Sequence, residues 1–258
     1  MTIGPLDHFI IALAIVVSPV VGFLRYRGLA ERIRRGGSVA RVTIYATSGT
    51  YQWLEVTALL LIWGLLGRDL TQMGFAWPGT VYTWAGLAVS LILSGVYVWQ
   101  LQISRGDAEA RRQIRKVLAK IEWILPHDMT ELRAFIARAV TAGIAEEIVW
   151  RGFLLWYLGQ ILGGWQAVVV ALVAFAVAHA YQGFAGAAKA GAAGVICWGL
   201  YAVSGSLIPA MIFHVAIDVF SGSIAAVAFA RAEEDERAAA EEKAQLGATA
   251  DPAAATAS

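Results

Sequence analysis

The chain has 258 residues, 59% hydrophobic and 15% charged, with a mean hydropathy of +0.63. Soluble domains carry about 25% charge, so a soluble globular protein is excluded. With 20 basic against 19 acidic residues the net charge is +1, which offers nucleic acid no field to follow and excludes it as a partner. Cys197 is the only cysteine and lies in an apolar stretch, which rules out an intrachain disulfide and a thiolate metal cluster.

The charges are clustered. The apolar windows between them predict an all-α, polytopic integral membrane bundle of about seven transmembrane helices, each near the roughly 20 residues a span needs. The first span, about 6–24, follows Asp7 and His8 rather than a basic segment, so it reads as retained and not as a cleavable signal peptide. Six arginines against Glu31 then fill Arg25 to Arg41, and two windows, 42–66 and 81–101, follow. A second basic interval holds Arg105, Arg111, Arg112, Arg115, Lys116 and Lys120. The positive-inside rule places both intervals in the cytoplasm, with the two windows as the crossings between them and the N terminus outside. Segment 105–125 interleaves its basic residues with Ile114, Val117, Leu118, Ile121 and Trp123, as an amphipathic helix on the inner leaflet would, and a solvated linker helix fits it equally. Spans at about 132–160, 164–181, 183–203 and 206–230 complete seven. Residues 1–230 thus read as one transmembrane domain in the cell (inner) membrane. Residues 231–258 read as an Ala/Glu-rich cytoplasmic tail, partly helical and then disordered.

Glu55, Glu146, Glu147, Arg151, Lys189 and Asp218 fall deep in these spans, together with His179 and His214. Ionisable groups are expensive in lipid and usually face a protein interior, where they do work. Glu147 and Arg151 are four apart and share a helix face, so they pair. Glu146 lies about 100° around the helix and stays available to water or a ligand. His214 and Asp218 are again four apart, and a carboxylate there can orient the imidazole. Such a set can activate water, with Glu as general base and His as oxyanion stabiliser. The same side chains, Glu146, His179, His214 and Asp218, could instead ligate zinc. HExxH and GxSxG are both absent. Glu55 and Lys189 fit no motif and read as lining a cavity or snorkelling to an interface.

Glu146-Glu147-Ile-Val-Trp-Arg151-Gly152 resembles the EExxxR motif of the CAAX-protease and bacteriocin-processing (CPBP) intramembrane proteases. Phe175-Ala-Val-Ala-His179 resembles that family's FxxxH, and His214-Val-Ala-Ile-Asp218 its HxxxN or HxxxD, all within a motif core of about 140–222. The chain is similar in these motifs to the CAAX prenyl endopeptidases, whose eukaryotic members remove the last three residues of prenylated proteins. The resemblance implies a CAAX-type intramembrane peptidase acting on a peptide or protein substrate, prenylated or membrane-embedded, in the bilayer. It implies Glu146 as catalytic base, His179 as its partner, His214 with Asp218 as the oxyanion or water-holding pair, and Glu147 with Arg151 as a supporting ion pair. Trp150 stands where the family commonly has Phe, and Asp218 where the prenyl-protein peptidases have Asn, which leaves glutamate-type and metal-dependent chemistry both open. A different class of reading is a non-catalytic scaffold or bacteriocin-immunity protein that binds a peptide or partner in the same groove. Counting from the outer span ends places His214 about 12 Å and His179 about 22 Å deep, an offset of about 10 Å.

Overall fold

A computed structural model describes residues 3–250, and these are helical with connecting turns. Nine helices are numbered here in chain order. They are α1 (Pro5–Arg34), α2 (Arg41–Leu65), α3 (Val81–Gly106), α4 (Ala108–Leu118), α5 (129–159), α6 (Gly164–Ala178), α7 (Gly183–Ser204), α8 (Leu207–Ala230) and α9 (Ala232–Ala250). Two contain π-helical stretches, Ala12–Val17 in α1 and Glu147–Leu154 in α5. Seven long helices therefore lie where seven spans were expected. Among the described residues, α1, α3, α8 and the helical stretch Ala180–Ser204 that contains α7 are long and apolar enough to cross a membrane. The other three fall short for readable reasons. α6 has only 15 residues, α5 carries Glu131, Arg133, Arg138, Glu146, Glu147 and Arg151, and α2 carries Arg41, Gln52 and Glu55.

Local chemistry sets the helix ends. The Asp128 carboxylate accepts the amides of Thr130 and Glu131 at 2.7 and 2.8 Å and so starts α5. Gly205, with φ +66, makes the left-handed turn that closes α7, and the Ser206 hydroxyl caps α8.

α8 is the central helix, packed against α3, α5, α7 and α4, while α5 also packs on α2. α5 and α8 cross where Gly143 faces Val215; a Cβ on Gly143 would lie 2.6 Å from the Val215 amide nitrogen. Only glycine permits that approach, and it brings the residues around Glu147 and His214 together. A buried cluster including Val56, Leu59, Trp63, Ile148, Phe153 and Phe175 fills the space behind them. α1 closes the other side. Its Asp7 is fully buried against Arg68, whose guanidinium lies over Trp63 and Trp156 at 5.1 and 4.6 Å. His8 meets the Tyr157 hydroxyl at 2.7 Å, and Ser18 donates to Glu55 at 3.1 Å.

The structure adds detail to two expectations at the basic end of the bundle. α4 packs against α3, α8 and α9, and Arg111 is turned into protein, where it holds Asp235 and the Ser104 carbonyl. The tail begins as α9 and is tied down through Asp235, which also meets Arg115 at 2.8 Å; the rest of the expected disordered tail, 251–258, lies outside the described residues. Hydrogen bonds from Arg111 and Arg115 hold the Asp235 carboxyl down to about 2, against an ordinary 3.8. A folded pKa below the unfolded one stabilises docking fully above about pH 4 and loses that contribution as pH falls towards 2. Asp235→Asn should therefore release α9 at neutral pH, seen as faster amide exchange and proteolysis of 232–243 with the bundle itself unchanged.

Candidate active site

Glu146 ends the regular part of α5, and a π-helical stretch follows immediately, a distortion frequent at functional sites. Glu147 and Arg151 pair at 3.1 Å, as their spacing predicts, with exposures of 0% and 4%. Arg151 also donates to the Gly194 carbonyl at 3.2 Å and lies 4.2 Å over the Phe175 ring. That ion pair is sealed in the bundle. Glu146, with its side chain 16% exposed, remains reachable.

The two histidines arrive from α6 and α8. His179 ends α6, and its Nδ1 donates to the Phe175 carbonyl at 2.8 Å, since a carbonyl only accepts. His214 Nδ1 lies 2.7 Å from Glu147 Oε1 and donates to that carboxylate. Each ring is thus anchored through Nδ1 and presents Nε2. Both Nε2 atoms are turned to one oxygen: Glu146 Oε2 stands 3.8 Å from His179 and 3.9 Å from His214. That oxygen is buried and has no hydrogen-bond partner within the protein. The other Glu146 oxygen accepts from Gln52 Nε2 at 3.0 Å, which fixes the carboxylate plane. Phe175 serves both rings, with centroids 4.5 Å from His179 and 6.4 Å from His214, and Trp150 packs on it at 5.4 Å.

Glu146, His179 and His214 therefore converge. Asp218 is electrostatically coupled to His214, as their shared helix face suggests, with no hydrogen bond to its ring among the described residues. The carboxylate that orients His214 is Glu147, delivered across the Gly143 contact, while Asp218 faces Arg138 at 4.0 Å. The expected depth offset between the histidines vanishes because the spans do not start at one level. Leu207, at the start of α8, bonds the Gly74 carbonyl and packs beside Gly152, only six residues beyond Glu146. Seven further residues carry α8 back to His214. Gln52 was missed by motif reading, although a lone amide one turn before Glu55 in an apolar run was a signal.

The donors were tested for zinc. Among the described residues the expected set, Glu146, His179, His214 and Asp218, is not drawn within 4.8 Å of one another. Among the described residues the group drawn together is instead Glu147, Cys197 and His214. It is a poor fit for a cation: one Glu147 oxygen already receives the Arg151 guanidinium and the His214 Nδ1 proton. A metal there would sit beside a fixed positive charge and displace that proton.

Residues 128–220 match the family model described as type II CAAX prenyl endopeptidase Rce1-like. No curated protein and no solved structure matches the chain. The matched segment spans all three motifs and leaves out α1 to α4, including Gln52. Over residues 128–220 the chain is thus similar to the Rce1-like type II CAAX prenyl endopeptidases, which supports a CAAX-type intramembrane peptidase.

Proposed function

We propose that this chain hydrolyses a peptide bond close to the C terminus of a membrane-anchored substrate, with water activated by Glu146. The observation that carries the reading is the pair of imidazole Nε2 atoms turned to one unpartnered oxygen, Glu146 Oε2. A water bound there hydrogen-bonds to Glu146 Oε2 and to His179 Nε2, which is an acceptor because Nδ1 carries the proton. Glu146 takes one proton from the water as its oxygen attacks the scissile carbonyl carbon. His214, doubly protonated in this step with Nδ1 held by Glu147, stabilises the developing oxyanion by a hydrogen bond from Nε2 and keeps that proton. Glu146 then passes its proton to the leaving nitrogen, the carbon–nitrogen bond breaks as the oxyanion reforms a carbonyl, and the new carboxylic acid releases the water's second proton to solvent through His179 Nε2, so that a carboxylate and an amine depart. No step needs a metal.

In this proposal the basic ends of α1 and α3, with α4 and α9, face the cytoplasm, and residues 1–230 are the working unit. The substrate's scissile bond reaches the site from that side while its lipid stays in the bilayer.

The test uses purified protein in lipid vesicles and synthetic peptides ending in a CAAX box, with and without a prenyl group on the cysteine. The expected result is release of the terminal three residues, seen by mass spectrometry and unchanged by a zinc chelator. Intact peptides after incubation with folded protein would overturn the reading, and loss of turnover to the chelator would overturn its metal-free chemistry.

A further inference from the structure

Arg138 has no place in the three motifs, yet it is electrostatically coupled to Glu146 and meets Asp218. It stands on α5 eight residues before Glu146, about 12 Å along the axis. Its guanidinium meets Asp218, which lies four residues, about 6 Å, beyond His214 on α8. It interacts electrostatically with Glu146, Asp218, Tyr181 and Tyr45. Asp218 in turn is coupled to His214, His179 and Glu146, and Tyr181 stacks on the His179 ring at 6.1 Å. One continuous polar region therefore runs from the reacting carboxylate to Arg138, one to two helical turns towards the basic end.

Two features of Arg138 point to a ligand. Its carboxylate neighbour stands 4.0 Å away, outside hydrogen-bond range, so the guanidinium's donors are not used by Asp218. Its side chain is 24% exposed and not sealed as that of Arg151 is at 4%. An arginine kept among membrane helices with its donor fork unspent is suited to a planar anion, which it would grip in bidentate fashion. Asp218 keeps the cation compensated while no anion is present.

We infer that Arg138 is a carboxylate-binding subsite that takes the free C-terminal carboxylate of the peptide substrate. This rests on the peptidase reading above. The spacing agrees: three extended residues span about 10 Å, within the 6 to 12 Å that separates the Glu146 and His214 level from the guanidinium. The site then measures its cut from the chain end, three residues in, and an internal peptide segment is a poor substrate because it leaves Arg138 without its anion.

The experiment compares one prenylated peptide as its free acid and as its C-terminal amide, with wild-type protein and Arg138→Gln in the same vesicles. The wild type should show kcat/KM at least about tenfold higher for the acid, the scale of one charge-assisted hydrogen-bonded pair. Arg138→Gln should bring the acid-to-amide ratio close to one, and Arg138→Lys should leave an intermediate ratio. The ratio is internal to each preparation, so partial misfolding does not move it. A wild-type ratio near one, or a ratio unchanged in Arg138→Gln, overturns the subsite while leaving the peptidase standing. If Arg138→Gln does not fold, Arg138→Lys decides: an unchanged ratio overturns the inference. Cleavage of neither peptide by folded wild type removes the peptidase reading and this inference with it.

Discussion

Glu146→Gln should lower kcat by about 10² to 10⁴-fold, the usual contribution of a positioned general base. The substitution is nearly isosteric. The amide oxygen can still accept from Gln52 Nε2, which holds Glu146 at 3.0 Å, so the α2–α5 contact and the fold survive. What is lost is the proton acceptor at Oε2, the position that faces His179 and His214. Thermal unfolding and steady-state hydrolysis measured on one preparation separate the two: stability close to wild type with activity nearly gone. KM should change little, because the carboxylate acts on water and does not grip the peptide.

Glu147→Ala should cost about 3 to 5 kcal/mol of stability, the typical penalty for breaking a buried ion pair from one side. Arg151 would remain at 4% exposure with a single carbonyl partner, Gly194, and His214 Nδ1 would lose its acceptor at 2.7 Å. Replacing both charges by apolar residues of similar volume, Glu147→Leu with Arg151→Met, should recover much of that loss, because the desolvation penalty goes with the charges. Activity should not return, since His214 is then free to turn and its Nε2 is no longer aimed at Glu146 Oε2. Unfolding in detergent against denaturant, beside hydrolysis, reads both. A double variant with restored stability and restored turnover would show that Glu147 only supports the fold.

Local spacing was the part of this molecule that the sequence made legible. Four-residue separation placed Glu147 on Arg151, and the apolar windows located seven long helices. Properties set between distant segments were not legible. His214 and Asp218 share a helix face, yet the imidazole's carboxylate partner comes from α5, 67 residues earlier in the chain. That pairing depends on Gly143, whose missing side chain lets two helices close to contact, and no periodicity announces it. The depth estimate failed for a related reason: α8 starts at the level of Gly152, packed on Met73, where the Gly74 carbonyl holds the Leu207 amide. Asp235 offers the same lesson at the surface, where a tail of Ala and Glu is held by two arginines more than 100 residues away.

The most direct measurement is hydrolysis of a prenylated CAAX-box peptide in water enriched in oxygen-18, by wild type and by Glu146→Gln under identical conditions. The account predicts one heavy oxygen in the new carboxyl of the prenyl-cysteine product, none in the released tripeptide, and essentially no product from the variant. Equal product from Glu146→Gln would contradict the role given to that carboxylate, and product without heavy oxygen would contradict hydrolysis by water.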